Sequence, residues 1–114
     1  MSPTTLRWRD RAVTASEAAS HLNSGDRVFV HGAAATPTEL LEAACARTDL
    51  ERVELYHLHT SGPAPFADPG VAGRLHSNSL FIGPLLRKPI EDGRADFIPI
   101  FLSDIPGLFS QRIV

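Results

Sequence analysis

Apolar positions change their spacing twice between Val28 and Leu58, and those two changes set the first elements of the chain. Val28-Phe29-Val30 is a β-branched and aromatic run ending at His31, which predicts a short strand over 28–31. Leu40, Leu41, Ala44 and Cys45 then recur at helical spacing, predicting a helix from Thr36 to Arg47 with Cys45 in the core as a small hydrophobe. Val53-Glu54-Leu55-Tyr56-His57-Leu58 returns to a strand pattern. Strand, helix and strand within so few residues make a βαβ unit with parallel strands. Upstream, Thr14 and Glu17 have the spacing of a capping box. Ala15, Ala18, Ala19 and Leu22 follow at helical spacing, and Gly25 supplies the stop.

Downstream the alternation continues. Gly62 to Gly70 is too rich in proline and glycine to be regular and reads as an ordered surface loop. Leu75 to Ile82 predicts a third strand, and Leu85 to Asp92 a helical stretch that Pro89 divides into two short turns before Gly93 ends it. Phe97-Ile98-Pro99-Ile100-Phe101 is apolar throughout and predicts a fourth strand buried on both faces, with a bulge or an edge at Pro99. Ser103-Asp104-Ile105-Pro106 opens a last helix. The fold class is therefore α/β, an open and mainly parallel sheet with flanking helices, and the sheet reads as truncated.

The junction Gly32-Ala33-Ala34-Ala35-Thr36-Pro37 carries the strongest chemical signal. Small residues join a strand to a helix start, Thr36 and Glu39 have capping-box spacing, and Pro37 suits a first turn. Backbone N–H groups beside the positive end of a helix suit a phosphate, a carboxylate or a developing oxyanion. The segment is neither a Walker loop nor a dinucleotide fingerprint.

Other candidates are weaker. His57 and His59 are two apart on a strand, so they share a face near its carboxyl end, and His31 ends the neighbouring strand. Three imidazoles at strand ends can hold zinc or nickel, or can line a cleft by hydrogen bonding alone. Ser77, Asn78 and Ser79 lack a nucleophile elbow and suit hydrogen bonding to a substrate carboxylate or amide. Glu51 and Glu54 have no partner carboxylate at a telling spacing. Arg87 and Lys88 read as a solvated helix face, with a carboxylate or pyrophosphate contact as the functional alternative.

Composition narrows the classes. At 114 residues, 43% hydrophobic and 21% charged, the chain is one ordinary globular domain with a small core. A net charge of -2 leaves no footprint for nucleic acid, and Arg7, Arg9 and Arg11 are interleaved with Asp10 as a solvated leading segment. No apolar run approaches the ~18 residues of a membrane helix, and Met1 to Trp8 has no apolar core of a signal peptide. A single cysteine, Cys45, forbids an internal disulfide. These features predict a cytoplasmic protein without membrane or nucleic-acid partners.

Four blocks then occur in order: His31 to Pro37; Glu54 to Thr60 with Gly62-Pro63-Ala64-Pro65; Asn78 to Gly83; and Ala95 to Ser103. Together they make the chain resemble the amino-terminal part of the acetyl-CoA hydrolase/transferase family, most closely its 4-hydroxybutyrate CoA-transferase-like branch. The likeness runs from about Ala15 to Phe109. Members are several times longer, so residues 1–114 are expected to be the leading part of a CoA-transferase-like α/β domain, without the catalytic carboxyl-terminal half.

The resemblance implies transfer of coenzyme A between acyl groups, or thioester hydrolysis, through a glutamyl-CoA thioester in acetate, acetyl-CoA or 4-hydroxybutyrate metabolism. The nucleophilic glutamate is expected outside this chain, and none of Glu39, Glu42, Glu51, Glu54 or Glu91 matches its motif. Substrate-binding residues are expected at Gly32, Ala33, Ala34, Thr36, Pro37, His59 and Asn78. Coenzyme A enters as acyl-CoA substrate beside a short-chain carboxylate, no metal is expected, and the full-length form is expected to be a homo-oligomer. The competing readings are a non-catalytic small-ligand module and a metal-dependent hydrolase using His57 and His59.

Overall fold

The computed structural model describes residues 3–114, and the side chains of 7–114. The stretch read for a leader includes residues 1 and 2, which lie outside the described residues. Helix α1 (Pro3–Arg11) and α2 (Ala15–Ala19) precede β1 (Arg27–Phe29) and α3 (Thr38–Ala46). Then come β2 (Val53–His57), two 3-10 turns (Pro65–Ala67 and Pro69–Val71), β3 (Leu75–Ser79), α4 (Pro84–Glu91) and β4 (Ala95–Phe97). A further 3-10 turn (Leu102–Asp104) runs into α5 (Ile105–Ser110).

The four strands are all parallel and stand in the order β1-β2-β3-β4. One row across the sheet is Val28, Leu55, Ser77, Ala95; the next is Phe29, Tyr56, Asn78, Asp96. Adjacent residues of a strand point to opposite faces, so these rows belong to different faces. The first face carries the core. Leu41 and Ala44 of α3, Phe66 and Val71 of the 3-10 turns, and Leu86 of α4 pack there on Val53, Leu55, Leu75 and Ala95. Strands laid in one direction with crossovers of one hand place every connection on one side. Among the described residues the second face has one helix, α5, at its carboxyl end: Ile105 and Leu108 pack on Leu80 and Leu58.

Local chemistry explains the ends of these elements. Thr14 Oγ1 accepts from the Glu17 N–H at 3.1 Å, making half of the expected capping box. α2 then stops at Ala19 rather than near Gly25, because Arg47 donates to the Ala19 and Leu22 carbonyls at 2.9 and 2.7 Å. Arg74 does the same for the end of α3, donating to the Cys45 and Arg47 carbonyls. Gly25 serves the turn instead, at φ +85°, with its N–H on the Glu51 carbonyl.

Several expectations are corrected. Arg7 to Arg11 are exposed, as expected of a solvated leading segment, and belong to helix α1. Pro89 does not divide α4: the helix runs through it, with Pro89 buried and the following turn closed by the Arg94 N–H on the Pro89 carbonyl at 2.8 Å. The fourth strand is Ala95–Phe97 and is not buried on both faces; Phe97 is 43% exposed and Phe101 80%. Among the described residues it is an edge strand with no neighbour on its outer side, and Pro99 lies beyond its end. Among the described residues no helix is long and apolar enough to cross a membrane.

Candidate functional site

β1, β2 and β3 all point their carboxyl ends to one edge, and the loops that follow them meet there. The Ala33 N–H donates to the His59 carbonyl at 2.8 Å, and Ala33 forms an isolated parallel bridge with Thr60. Thr36 Oγ1 donates to the Ala33 carbonyl at 2.7 Å and accepts from the Ser61 N–H at 3.0 Å. One hydroxyl thus ties the first loop to the second.

Those bonds overturn the expected cap. Thr36 does not cap α3, because its side chain is committed to Ala33 and Ser61. Pro37 holds the N-cap position, with no side-chain cap, rather than the first turn. The first helical N–H groups lack intrahelical partners by construction, so Glu39 and Leu40 present theirs at the positive end of α3 without competition from Thr36. The site signal survives for a different reason than capping.

Gly32 is required by packing against the neighbouring loop. A Cβ on it would lie 2.6 Å from the His59 carbonyl oxygen, closer than any real contact. Ala33 sits in the left-handed region at φ +50° so that its N–H can reach His59. A non-glycine residue held there stores of the order of 1 kcal/mol of strain. Ala33, Ala34 and Ala35 are exposed, and the Ala34 N–H has no partner among the described residues.

On the other side of His59 lies a cavity of about 330 Å³, lined by Leu58 to Gly62 and by Gly83 to Leu86. Gly83 caps α4, and a Cβ on it would come within 3.1 Å of His59 Nδ1, a tight approach to an exposed side chain rather than to backbone as at Gly32. Sequence reasoning passed over Gly83-Pro84, yet it repeats the strand, small residue and proline pattern of the first loop. That repetition was the available signal.

The histidines do not converge. His57 is buried. Its Nδ1–H donates to the Leu58 carbonyl at 2.8 Å, so Nε2 accepts from the Ser77 hydroxyl at 2.5 Å. Both ring nitrogens are occupied, and burial pushes the His57 pKa down. A metal ligand needs a free lone pair, and in this arrangement His57 has none to offer. His59 is exposed, its ring edge-on to Phe81 at 6.3 Å, and His31 stacks edge-on with Phe29 at 5.8 Å. Among the described residues no three of His, Cys, Asp or Glu are grouped to hold a metal.

Asn78 is not at this edge either. It is buried on the second face, donating to Glu54 at 2.7 Å and to the Leu55 carbonyl at 3.2 Å. Ser77 is absorbed by His57, Lys88 pairs with Asp92 at 3.1 Å, and Arg87 is exposed. The structure therefore brings together Gly32, Ala33, Ala34, Thr36, Pro37 and His59, and leaves Asn78 out.

A family model for the acetyl-CoA hydrolase/transferase N-terminal domain matches residues 4–114. The chain belongs to that family. A succinyl-CoA:acetate/propanoyl-CoA:succinate CoA transferase of Fasciola hepatica is 44% identical over 117 residues, covering 99% of this chain and 24% of its own length. The 4-hydroxybutyrate coenzyme A transferase of Clostridium kluyveri is 28% identical over 106 residues, covering 92% of this chain and 25% of its own. The crystal structure of RipA from Yersinia pestis superposes with a TM-score of 0.75 at 26% identity, over 89% of this chain and 26% of RipA. The chain thus spans about a quarter of the length of the relatives it matches, and its relatives are CoA-transferase enzymes.

Proposed function

We propose that these residues form the leading part of an acyl-CoA:carboxylate CoA-transferase, and that the Gly32–Pro37 and His59–Gly62 loops hold a short acyl-CoA or its carboxylate partner. The observation that carries this reading is the Gly32–His59 contact with the Thr36 clasp, which fixes the uncapped N-terminus of α3 at the carboxyl edge of the sheet. Open α/β sheets hold ligands at that edge. Oriented N–H groups stabilise negative charge on a carboxylate, a phosphate or an oxyanion. Exposed Ala33 and Ala34 give a substrate close access to the backbone.

The chemistry belongs to a glutamate outside these residues. Its carboxylate attacks the thioester carbon and expels CoA thiolate, giving an acyl-glutamyl anhydride. The thiolate then attacks the glutamyl carbonyl, releasing the first carboxylate and leaving a glutamyl-CoA thioester. The acceptor carboxylate reverses both steps and regenerates the glutamate. Residues 1–114 would position and stabilise the acyl group and supply no nucleophile.

The test uses acetyl-CoA with a panel of short carboxylates, following new thioesters. Residues 1–114 alone give no turnover, and a chimera joining them to the rest of the Fasciola hepatica enzyme does. In that chimera Ala34→Phe raises KM for acyl-CoA about tenfold or more by filling the approach to the loop. Turnover by the 114 residues alone, abolished by replacing one of their own glutamates, overturns the reading; an unchanged KM in Ala34→Phe removes the loop from it.

A further inference from the structure

The hydrogen-bond ladder between β1 and β2 breaks at the candidate site, and a buried side chain fills the break. In a parallel ladder alternate residues of a strand serve the same neighbour. The Val30 N–H donates to the Tyr56 carbonyl at 2.9 Å, so the next rung would join the Gly32 N–H to the Leu58 carbonyl. That rung does not form. The next bond runs instead from the Ala33 N–H to the His59 carbonyl at 2.8 Å, a step of three residues along each chain segment where two are regular. Among the described residues neither the Gly32 N–H nor the Leu58 carbonyl has a backbone partner.

A half-buried carbonyl is costly to leave open unless another donor takes it. His57 supplies the donor, with Nδ1 at 2.8 Å from the Leu58 carbonyl. The ring is held from its other sides. Nε2 faces the Ser77 hydroxyl at 2.5 Å, and Phe66 lies against the imidazole with ring centroids 5.2 Å apart. A neutral imidazole has one N–H and a carbonyl can only accept, so the proton sits on Nδ1 and Nε2 accepts from Ser77. Ser79, on the same face two residues further on, is buried with its hydroxyl unpartnered among the described residues. The two histidines of the His57-Leu58-His59 motif therefore work on opposite sides of the chain: His59 borders the 330 Å³ cavity, and His57 acts from inside the core.

We propose that His57 is a positioning residue for the two loops: its Nδ1–H replaces the missing rung at the Leu58 carbonyl and so keeps the Gly32 N–H open to the carboxylate or acyl oxygen of a ligand. With the Leu58 carbonyl satisfied from the core, the two segments change phase without leaving it open, and the Ala33–His59 bond forms in place of the regular rung. His57 touches no ligand and acts through Leu58. The ligand's use of Gly32 rests on the function proposed above, whereas the replaced rung does not.

Two substitutions separate the two ends of the ring. An asparagine amide carries its N–H where Nδ1 stood, and a glutamine amide carries it where Nε2 stood, reaching Ser77 instead of Leu58. In the 114-residue chain, exchange of the Ala33 amide should stay within about threefold of the parent in His57→Asn and quicken about tenfold or more in His57→Gln, after correction for unfolding free energy by urea titration. Equal exchange in the two variants, both fast or both slow, overturns the proposal. Ser79→Ala removes a hydroxyl that bonds nothing and should leave the Ala33 amide as it is; faster exchange there assigns the effect to core packing and overturns the proposal as well. In the chimera with the rest of the Fasciola hepatica enzyme, KM for the carboxylate should rise about tenfold or more in His57→Gln with kcat little changed, and be rescued in His57→Asn. A split in exchange without a split in KM keeps the positioning of the loops and overturns the ligand's use of the Gly32 N–H. If neither variant folds, the parent chain decides: nitrogen-15 spectra of the imidazole should show the proton on Nδ1, and a proton on Nε2 overturns the proposal.

Discussion

The two faces of one sheet, built from alternate residues of the same strands, differ in almost every physical respect. On the covered face Val53, Leu55, His57, Leu75, Ser77 and Ser79 are buried beneath helices and turns. On the other face Arg27, Glu54, His76 and Asp96 meet solvent, and α5 shields the carboxyl end alone. Composition does not separate the faces by itself, since His57, Ser77 and Ser79 lie on the buried one. Topology does. A sheet laid in one direction puts all its crossovers on one side and leaves the other to whatever does not connect its strands. Parallel sheets are ordinarily covered on both faces; among the described residues this one is covered on its first face and, on its second, only where α5 packs.

Deletion on the covered face should break the comparison most sharply. Leu55 is 1% exposed at the centre of the sheet, and Leu55→Ala is expected to lower the unfolding free energy by about 2–5 kcal/mol, by urea titration. A loss under about 1 kcal/mol would mean that the covered face is no better packed than the open one.

Gly32→Ala comes next. Its Cβ would stand 2.6 Å from the His59 carbonyl oxygen, so the loops must part and the Ala33–His59 bond is lost or lengthened. An overpacking cost of about 1–3 kcal/mol is expected in thermal or urea unfolding. Gly73→Ala is the control for backbone strain without a clash: φ is +86° and nothing lies within 4 Å of the added carbon. Gly32 is not in the left-handed region, so its cost comes from the contact alone; a loss under about 0.5 kcal/mol in Gly32→Ala would show that the loops part without penalty.

The third prediction uses pH. Burial lowers the pKa of His57 below its ordinary 6.5. The unfolded chain then binds a proton that the native chain refuses. Stability from this group is full above pH 6.5 and is lost as pH falls below it, with a slope of up to about 1.4 kcal/mol per pH unit. Replacing His57 by Gln should remove that part of the acid loss. An unchanged pH profile would mean that another group carries it.

How far all this was legible depends on what fixes each feature. The βαβ unit was legible because Leu41, Ala44, Val53 and Leu55 obey local periodicities. The close approach of loops 32–37 and 57–60 followed from parallel strands sharing a carboxyl edge. The Thr36 cap was misread because its rival partner, Ser61, is 25 residues away and invisible to local spacing. Phe97 to Phe101 was misread as buried on both faces because hydrophobicity alone does not report which neighbours cover a segment, and β4 lies at the edge of the sheet. Asn78 lies away from the loop edge because its partners, Glu54 and the Leu55 carbonyl, are on the neighbouring strand 24 and 23 residues away and leave no local signal. Arg47, Arg74 and Arg94 gave no signal, since each acts on carbonyls distant in sequence.

The smallest effect belongs to the open face and tests it most directly. His76 Nε2 and an Asp96 carboxylate oxygen are 2.7 Å apart, with the Asp96 side chain 70% exposed. A pair so wet exchanges water for a partner with little net gain, and it is screened by salt. Asp96→Ala in the 114 residues alone should therefore cost at most about 1 kcal/mol, falling further in molar salt. In the chimera carrying the rest of the Fasciola hepatica enzyme, a layer over this face withdraws the pair from water, and removing Asp96 leaves the imidazole without its partner among covered groups. The cost should then rise and lose most of its salt dependence, because buried pairs are strongly destabilised when one member is removed. Equal costs and equal salt dependence in both contexts would show that the second face stays bare when the chain is joined to the remainder, and the contrast between the faces would then be permanent rather than a stage of assembly.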